Sequence, residues 1–206
     1  MPSTRVYLTT LVATGAISSQ AHGNEANLIA ETVLNEPALA INGIPFSTRA
    51  YWMRTANDAL FEVLQDPCPF AAFGTVIVNH TAGGLGKAVC IGANSSGRSG
   101  NPTQHDPNGP YNLTTSEALG AFSELSLYTN AESCPMCASA IRWAGFKEYI
   151  YGTSINTLIG KGWGQIRIPS MEVIRQSFDL GPTPRLIAEV LTNETEPYFL
   201  WHTETI

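Results

Sequence analysis

The sequence predicts a single-domain α/β protein, a three-layer α-β-α sandwich with helices on both faces of a sheet. Three observations predict it. Runs of β-type residues alternate with segments of helical periodicity, stretches rich in Gly, Pro and Asn punctuate them, and 206 residues suit one hydrophobic core. There is no internal repeat and no low-complexity segment.

Residues 1–21 carry Arg5, a moderately apolar stretch from Val6 to Ile17 and small residues at Ser19 and Ala21, which is the layout of a secretory signal peptide. Residues 22–43 form a leading arm, and 44–206 the single domain. Ser47 is a suitable N-cap for a helix over Arg49–Leu64, with apolar residues at 52, 53, 56, 60, 61 and 64, and Asp66-Pro67 stops it. Phe73–Val78 and Lys87–Gly92 read as strands joined by the glycine-rich Thr81–Gly86 loop. Gly92–Pro110 is rich in Gly, Pro and Asn and reads as loop, and a short helix is expected over Thr115–Phe122. Glu124–Thr129 alternates as a strand should. Cys134–Ala144 has helical spacing and ends at Gly145, the residue suited to a left-handed cap. Glu148–Gly152 is another strand and Met171–Phe178 a helix, whereas the pattern of Arg185–Leu191 fits strand and helix alike.

Composition excludes several functions. Charged residues make up 14%, apolar residues 44%, and the net charge is −6. Too much is apolar for a disordered acidic chain, and the acidic balance opposes binding to a nucleic-acid backbone, which demands clustered Lys and Arg. No apolar run is long enough for a membrane span. Asn79, Asn94, Asn112 and Asn193 each head an N-x-S/T sequon, which together with the N-terminal segment points to a secreted glycoprotein. Cys68 and Cys90 fit a disulfide and buried thiols equally well.

The chemistry concentrates in Ser133-Cys134-Pro135-Met136-Cys137. Thiols at i and i+3 share a helix face and can reach one ion, and Pro135 suits a first turn where its missing N–H costs nothing. The positive end of the helix dipole favours both thiolates. A C-x-x-C pair alone also fits a redox disulfide or inert thiols. His105, upstream in Asn101-Pro-Thr-Gln-His105, adds an imidazole. One His and two Cys give three zinc ligands and leave the fourth tetrahedral position for water. His22, His80 and His202 lie outside this pattern, and Glu132 reads as a structural acceptor at the start of the cysteine helix.

The order and spacing of these pieces resemble the zinc-dependent cytidine/deoxycytidylate-type deaminases, above all their guanine- and tRNA-adenosine-deaminase-like branch. The resemblance runs from Tyr51-Trp-Met-Arg54 through Phe73-Gly-Thr-Val-Ile-Val, Gly92-Ala-Asn94 and Asn101–His105 to Leu127–Cys137, where Ser133 replaces the family's usual Pro. It then continues through Trp143-Ala-Gly145 to Tyr149-Ile-Tyr-Gly152. It implies a cytidine deaminase-like fold with a mixed central sheet, and Zn2+ held by His105, Cys134 and Cys137. It also implies hydrolytic deamination of a small-molecule substrate (a nucleobase, nucleoside or similar amine) and pairing through helices into a homodimer. Phe73 and Asn94 would contact the substrate, although a glycan on Asn94 would be incompatible with lining a pocket.

One departure bears on activity. The family places a proton-shuttling glutamate two residues after the His, and here Pro107 stands there, after Asp106. Proline carries no proton to move, and Asp106-Pro-Asn-Gly-Pro110 cannot begin a long helix. Glu117 is the candidate substitute for catalysis. The alternative is a zinc-binding protein of the deaminase fold that no longer turns over.

Overall fold

A computed structural model describes residues 40–64, 72–94 and 120–200. The segment expected to be a signal peptide, most of the leading arm, Cys68, the sequon at Asn112, His22, His202 and His105 lie outside the described residues.

Ile41-Asn-Gly-Ile44 is a tight turn closed by reciprocal backbone hydrogen bonds between its two isoleucines. Asn42 and Gly43 both sit at positive φ, the chemistry an Asn-Gly turn supplies. Helix α1 follows over Phe46–Leu64. It starts earlier than the sequence predicts, because Pro45, whose carbonyl accepts the Arg49 N–H at 3.2 Å, takes the capping position expected of Ser47. Ser47 lies inside the helix, its hydroxyl buried with no hydrogen-bond partner among the described residues.

The sheet comprises β1 (Gly74–Asn79), β2 (Lys87–Ala93), β3 (Leu125–Ala131), β4 (Glu148–Thr153) and β5 (Arg185–Ile187), in the order β2-β1-β3-β4-β5. β1 runs antiparallel to both β2 and β3, while β3, β4 and β5 are mutually parallel, so the sheet is mixed. A short 3-10 turn over His80–Ala82 occupies part of the expected loop. Period-two alternation divides the side chains between two faces. Val76, Val78, Tyr128 and Ile150 meet Trp52, Met53 and Ala56 of α1. Leu125, Leu127, Tyr149 and Tyr151 meet Ile141 of α2 (Pro135–Ala144) together with Phe146. Every residue of β4 is buried, as expected of a central parallel strand covered on both sides. Gly74 is required where α1 crosses β1: a Cβ there would lie 2.0 Å from the Ala56 carbonyl oxygen.

Between β4 and β5 lie α3 (Ile155–Gly160) and α4 (Ser170–Gln176). α4 ends short of Phe178, which is 77% exposed. Arg142 ties α2 to the turn after α4 by donating to the carbonyls of Ser177, Leu180, Gly181 and Pro182. The ambiguous Arg185–Leu191 segment is a strand only through Ile187. Glu189 and Leu191 then turn at positive φ into α5 (Thr192–Thr195) and a 3-10 turn over Glu196–Phe199, elements the sequence did not signal. Of the expected Thr115–Phe122 helix, the described part, residues 120–122, is helical. Among the described residues no helix is long and apolar enough to cross a membrane.

A buried ion pair locks the turn at Ile41–Ile44, α1 and β4 together. Arg49 donates to both Glu148 oxygens, at 3.1 and 3.0 Å, and to the Ile41 carbonyl. Asn42 and Ser126 donate to the same carboxylate. Burial alone would raise the Glu148 pKa, but the hydrogen bonds from Arg49 and Asn42 outweigh it and hold the carboxyl below its ordinary range.

Candidate metal centre

β3 delivers the chain to α2 at the carboxyl end of the parallel strands, where open α/β sheets leave room for ligands. Cys134 is the N-cap of α2, extended at φ −60° and ψ 161°, and Pro135 opens the helix. The following proline restricts Cys134 to that conformation, and its carbonyl accepts the Ala138 N–H at 2.8 Å. Cys137 follows within the first turn, and Gly145 closes the helix in the left-handed conformation at φ 74°. Both cysteines are half-buried and line one cavity of about 100 Å³.

Phe73 and Asn94 line the same cavity, so the structure brings four of the sequence-predicted site residues together. Phe73 lies just before β1, its ring 5.3 Å from that of Trp163 and 5.4 Å from that of Phe199. It therefore serves a small core cluster and the cavity wall at once. The Asn94 N–H donates to the Phe73 carbonyl at 2.9 Å. Asn130, fully buried, accepts from the Gly74 N–H at 2.9 Å and donates to the Ala72 carbonyl at 2.8 Å, clamping the backbone on either side of Phe73. Gln165, from the loop between α3 and α4, completes the wall. Asn130 lies inside the Leu127–Cys137 segment that carries the resemblance, but nothing in the sequence assigned it a role, and Gln165 comes from a loop without periodicity.

Glu132 lines the cavity, yet its carboxylate is committed elsewhere. One oxygen accepts the Ile155 N–H at 2.8 Å and the other the Ser170 N–H at 2.7 Å, the first residues of α3 and α4. Glu132 is 4% exposed. It is the structural acceptor the sequence predicts, but for two other helices rather than for α2. Its charge suits the positive helix ends it caps. Ser133 is held by Tyr149, whose hydroxyl accepts the Ser133 N–H at 2.6 Å, and by Ser170, whose hydroxyl donates to the Ser133 carbonyl at 3.2 Å. Burial raises the Tyr149 pKa, so the phenol stays protonated.

His80 takes no part here. It sits at the far end of the sheet with Nε2 3.0 Å from the Tyr128 hydroxyl. Burial, with the Arg49 charge, lowers its pKa to about 4. His105, Asp106, Pro107 and Glu117 lie outside the described residues. Among the described residues no group of three or more His, Cys, Asp or Glu gathers. Two cysteines in the first turn of a helix and lining one cavity nonetheless fit zinc, a thiolate-seeking ion.

Comparison with known proteins agrees with this geometry. A guanine deaminase from Nitrosomonas europaea aligns in structure over 75% of this chain and 82% of its own, with a TM-score of 0.51 and 14% identity, a likeness of fold. A "Probable cytosine deaminase" of Schizosaccharomyces pombe is 32% identical over 87 residues, 42% of this chain and 50% of the relative. The chain thus matches about half the length of that curated relative. The sequence model of the cytidine and deoxycytidylate deaminase zinc-binding region matches residues 47–153, just over half of the chain and the stretch from α1 through the cysteine helix to the end of β4. The chain belongs to the family of cytidine and deoxycytidylate deaminases defined by that zinc-binding region.

Proposed function

We propose that this protein is a zinc-dependent hydrolytic deaminase acting on a nucleobase, nucleoside or similar small amine. The observation that carries the reading is that Cys134, Cys137, Phe73 and Asn94 line one cavity. Cys134, Cys137 and His105 would hold the ion. Bound zinc would supply a Lewis acid that makes water a nucleophile at neutral pH. Phe73 offers a flat apolar wall against a planar ring, and Asn94 a polar contact to orient it. Glu117 would move the proton from water to the leaving amine. The relatives named above support the substrate class: one is described as a guanine deaminase, another as a probable cytosine deaminase.

A specific observation favours a second reading, a zinc-binding protein without turnover. Pro107 stands in sequence at the place of the family's proton carrier, and Glu132, the one carboxylate among the described residues that line the cavity, spends both oxygens on backbone N–H groups. Ammonia release from guanine, adenosine, cytidine and cytosine separates the two. Activity lost on chelation and restored by zinc supports the first, with Glu117→Gln expected to abolish rate while retaining the metal. Zinc at one per chain with no ammonia above the metal-free protein would leave the second.

A further inference from the structure

We infer that Tyr149 is a positioning residue for metal ligation, its hydroxyl standing in for the proline that the family resemblance places at position 133. The inference rests on the metal reading above. A proline at 133 would carry no N–H and would fix its own φ. Ser133 restores a donor and frees that torsion, directly before the first cysteine. Both consequences meet one answer: the Tyr149 hydroxyl accepts that N–H at 2.6 Å.

The geometry makes this a firm tie. Tyr149 is 1% exposed and stands on the central strand β4, paired with Leu127 on one side and Leu186 on the other. Its phenol therefore cannot follow the loop; the loop must come to it. The neighbours of Ser133 are fixed independently. The Glu132 N–H donates to the Thr153 carbonyl at 2.8 Å, its carboxylate is held by Ile155 and Ser170, and Pro135 restricts Cys134. The peptide between Glu132 and Ser133 is the remaining joint. Its N–H donates to the Tyr149 hydroxyl, and the next carbonyl accepts from Ser170. Without the phenol oxygen this joint can rotate and carry the Cys134 sulfur with it.

The test uses the full-length, metal-free protein titrated with Co2+ and read by thiolate-to-cobalt charge-transfer absorption, followed by zinc competition. The wild type is expected to show the band. Tyr149→Phe is expected to weaken metal binding about tenfold, the lower end of what losing an outer partner of a metal site costs. Ser133→Pro alone is expected to weaken binding as well, because its Cδ would meet the Tyr149 hydroxyl, which lies 2.6 Å from that nitrogen. Ser133→Pro combined with Tyr149→Phe, which removes that oxygen, is expected to bind more tightly than either single variant. A packing role for Tyr149 would lower thermal stability without changing metal affinity, and the proline would rescue nothing. Wild-type affinity in Tyr149→Phe, or a double variant as weak as Tyr149→Phe, overturns the inference. If Tyr149→Phe does not fold, a double variant that folds and binds supports it, and one that fails too overturns it. A wild type with no charge-transfer band overturns the metal reading itself.

Discussion

Glu132 looks like a catalytic carboxylate, lying beside the cysteines and lining their cavity, and its substitution by glutamine distinguishes scaffold from chemistry. Its two oxygens accept backbone N–H groups at 2.8 and 2.7 Å in a site where only 4% of the residue is exposed. Glutamine keeps one carbonyl oxygen and turns an NH2 against the other donor. A charge-assisted hydrogen bond is worth about 1.5–3 kcal/mol, and an orphaned buried donor costs about 1–3 kcal/mol, so Glu132→Gln is expected to lose about 2–4 kcal/mol. Glu132→Ala orphans both donors and leaves a void, for about 4–6 kcal/mol. Domains of this kind hold about 5–15 kcal/mol in total, so the alanine variant is expected to fold poorly. Urea unfolding followed by circular dichroism reads the loss as a lowered midpoint at unchanged slope. A glutamine variant with the wild-type midpoint but no deaminase turnover would refute the structural assignment and make Glu132 the proton carrier.

Two further perturbations test the core polar network. His80 has a folded pKa of about 4 against 6.5 unfolded, so its contribution is full above about pH 6.5 and lost as pH falls toward 4, where the unfolded chain takes up the proton first. The unfolding free energy from urea titration is expected to fall by about 1–2 kcal/mol between pH 7 and pH 5, and His80→Gln to flatten that slope; an unchanged slope would contradict the buried neutral imidazole. Arg49→Met leaves the Glu148 carboxylate buried without its cation and is expected to cost about 3–5 kcal/mol, with much of the loss recovered in Arg49→Met/Glu148→Gln. Because Glu148 is held below its ordinary range, the wild type is expected to lose this contribution as pH falls below about 4.3, through the folded pKa, a loss that Glu148→Gln abolishes.

The legible parts of this fold were those whose residues carry a local rule. The alternation of β3, the apolar stripe of α1 and the Pro135-to-Gly145 bracketing of α2 all state their conformations in sequence. The i, i+3 cysteines announced the helix start they occupy. Helix α3 was silent because six residues give less than two turns of periodicity, and its N-terminus is capped from a distance by Glu132 as well as locally by Ser154. α5 enters through Leu191 at positive φ, a conformation no leucine advertises. The N-terminal boundary of α1 slipped because Pro45 outcompeted Ser47 for the capping position. At the site, Cys134, Cys137, Phe73 and Asn94 were readable from motif and resemblance. Asn130 and Tyr149 act through backbone partners far away in sequence, so their roles exist only once the sheet has assembled.

Zinc K-edge X-ray absorption on the zinc-loaded protein tests the central claim most directly. A shell of two sulfurs at about 2.3 Å with nitrogen or oxygen at about 2.0–2.1 Å is expected for Cys134, Cys137, His105 and one open position. Cys134→Ser and Cys137→Ser are each expected to remove one sulfur or the metal altogether, and His105→Ala one nitrogen. A shell without sulfur, one of four sulfurs, or one indifferent to both cysteine substitutions would contradict a metal centre built on the start of this helix.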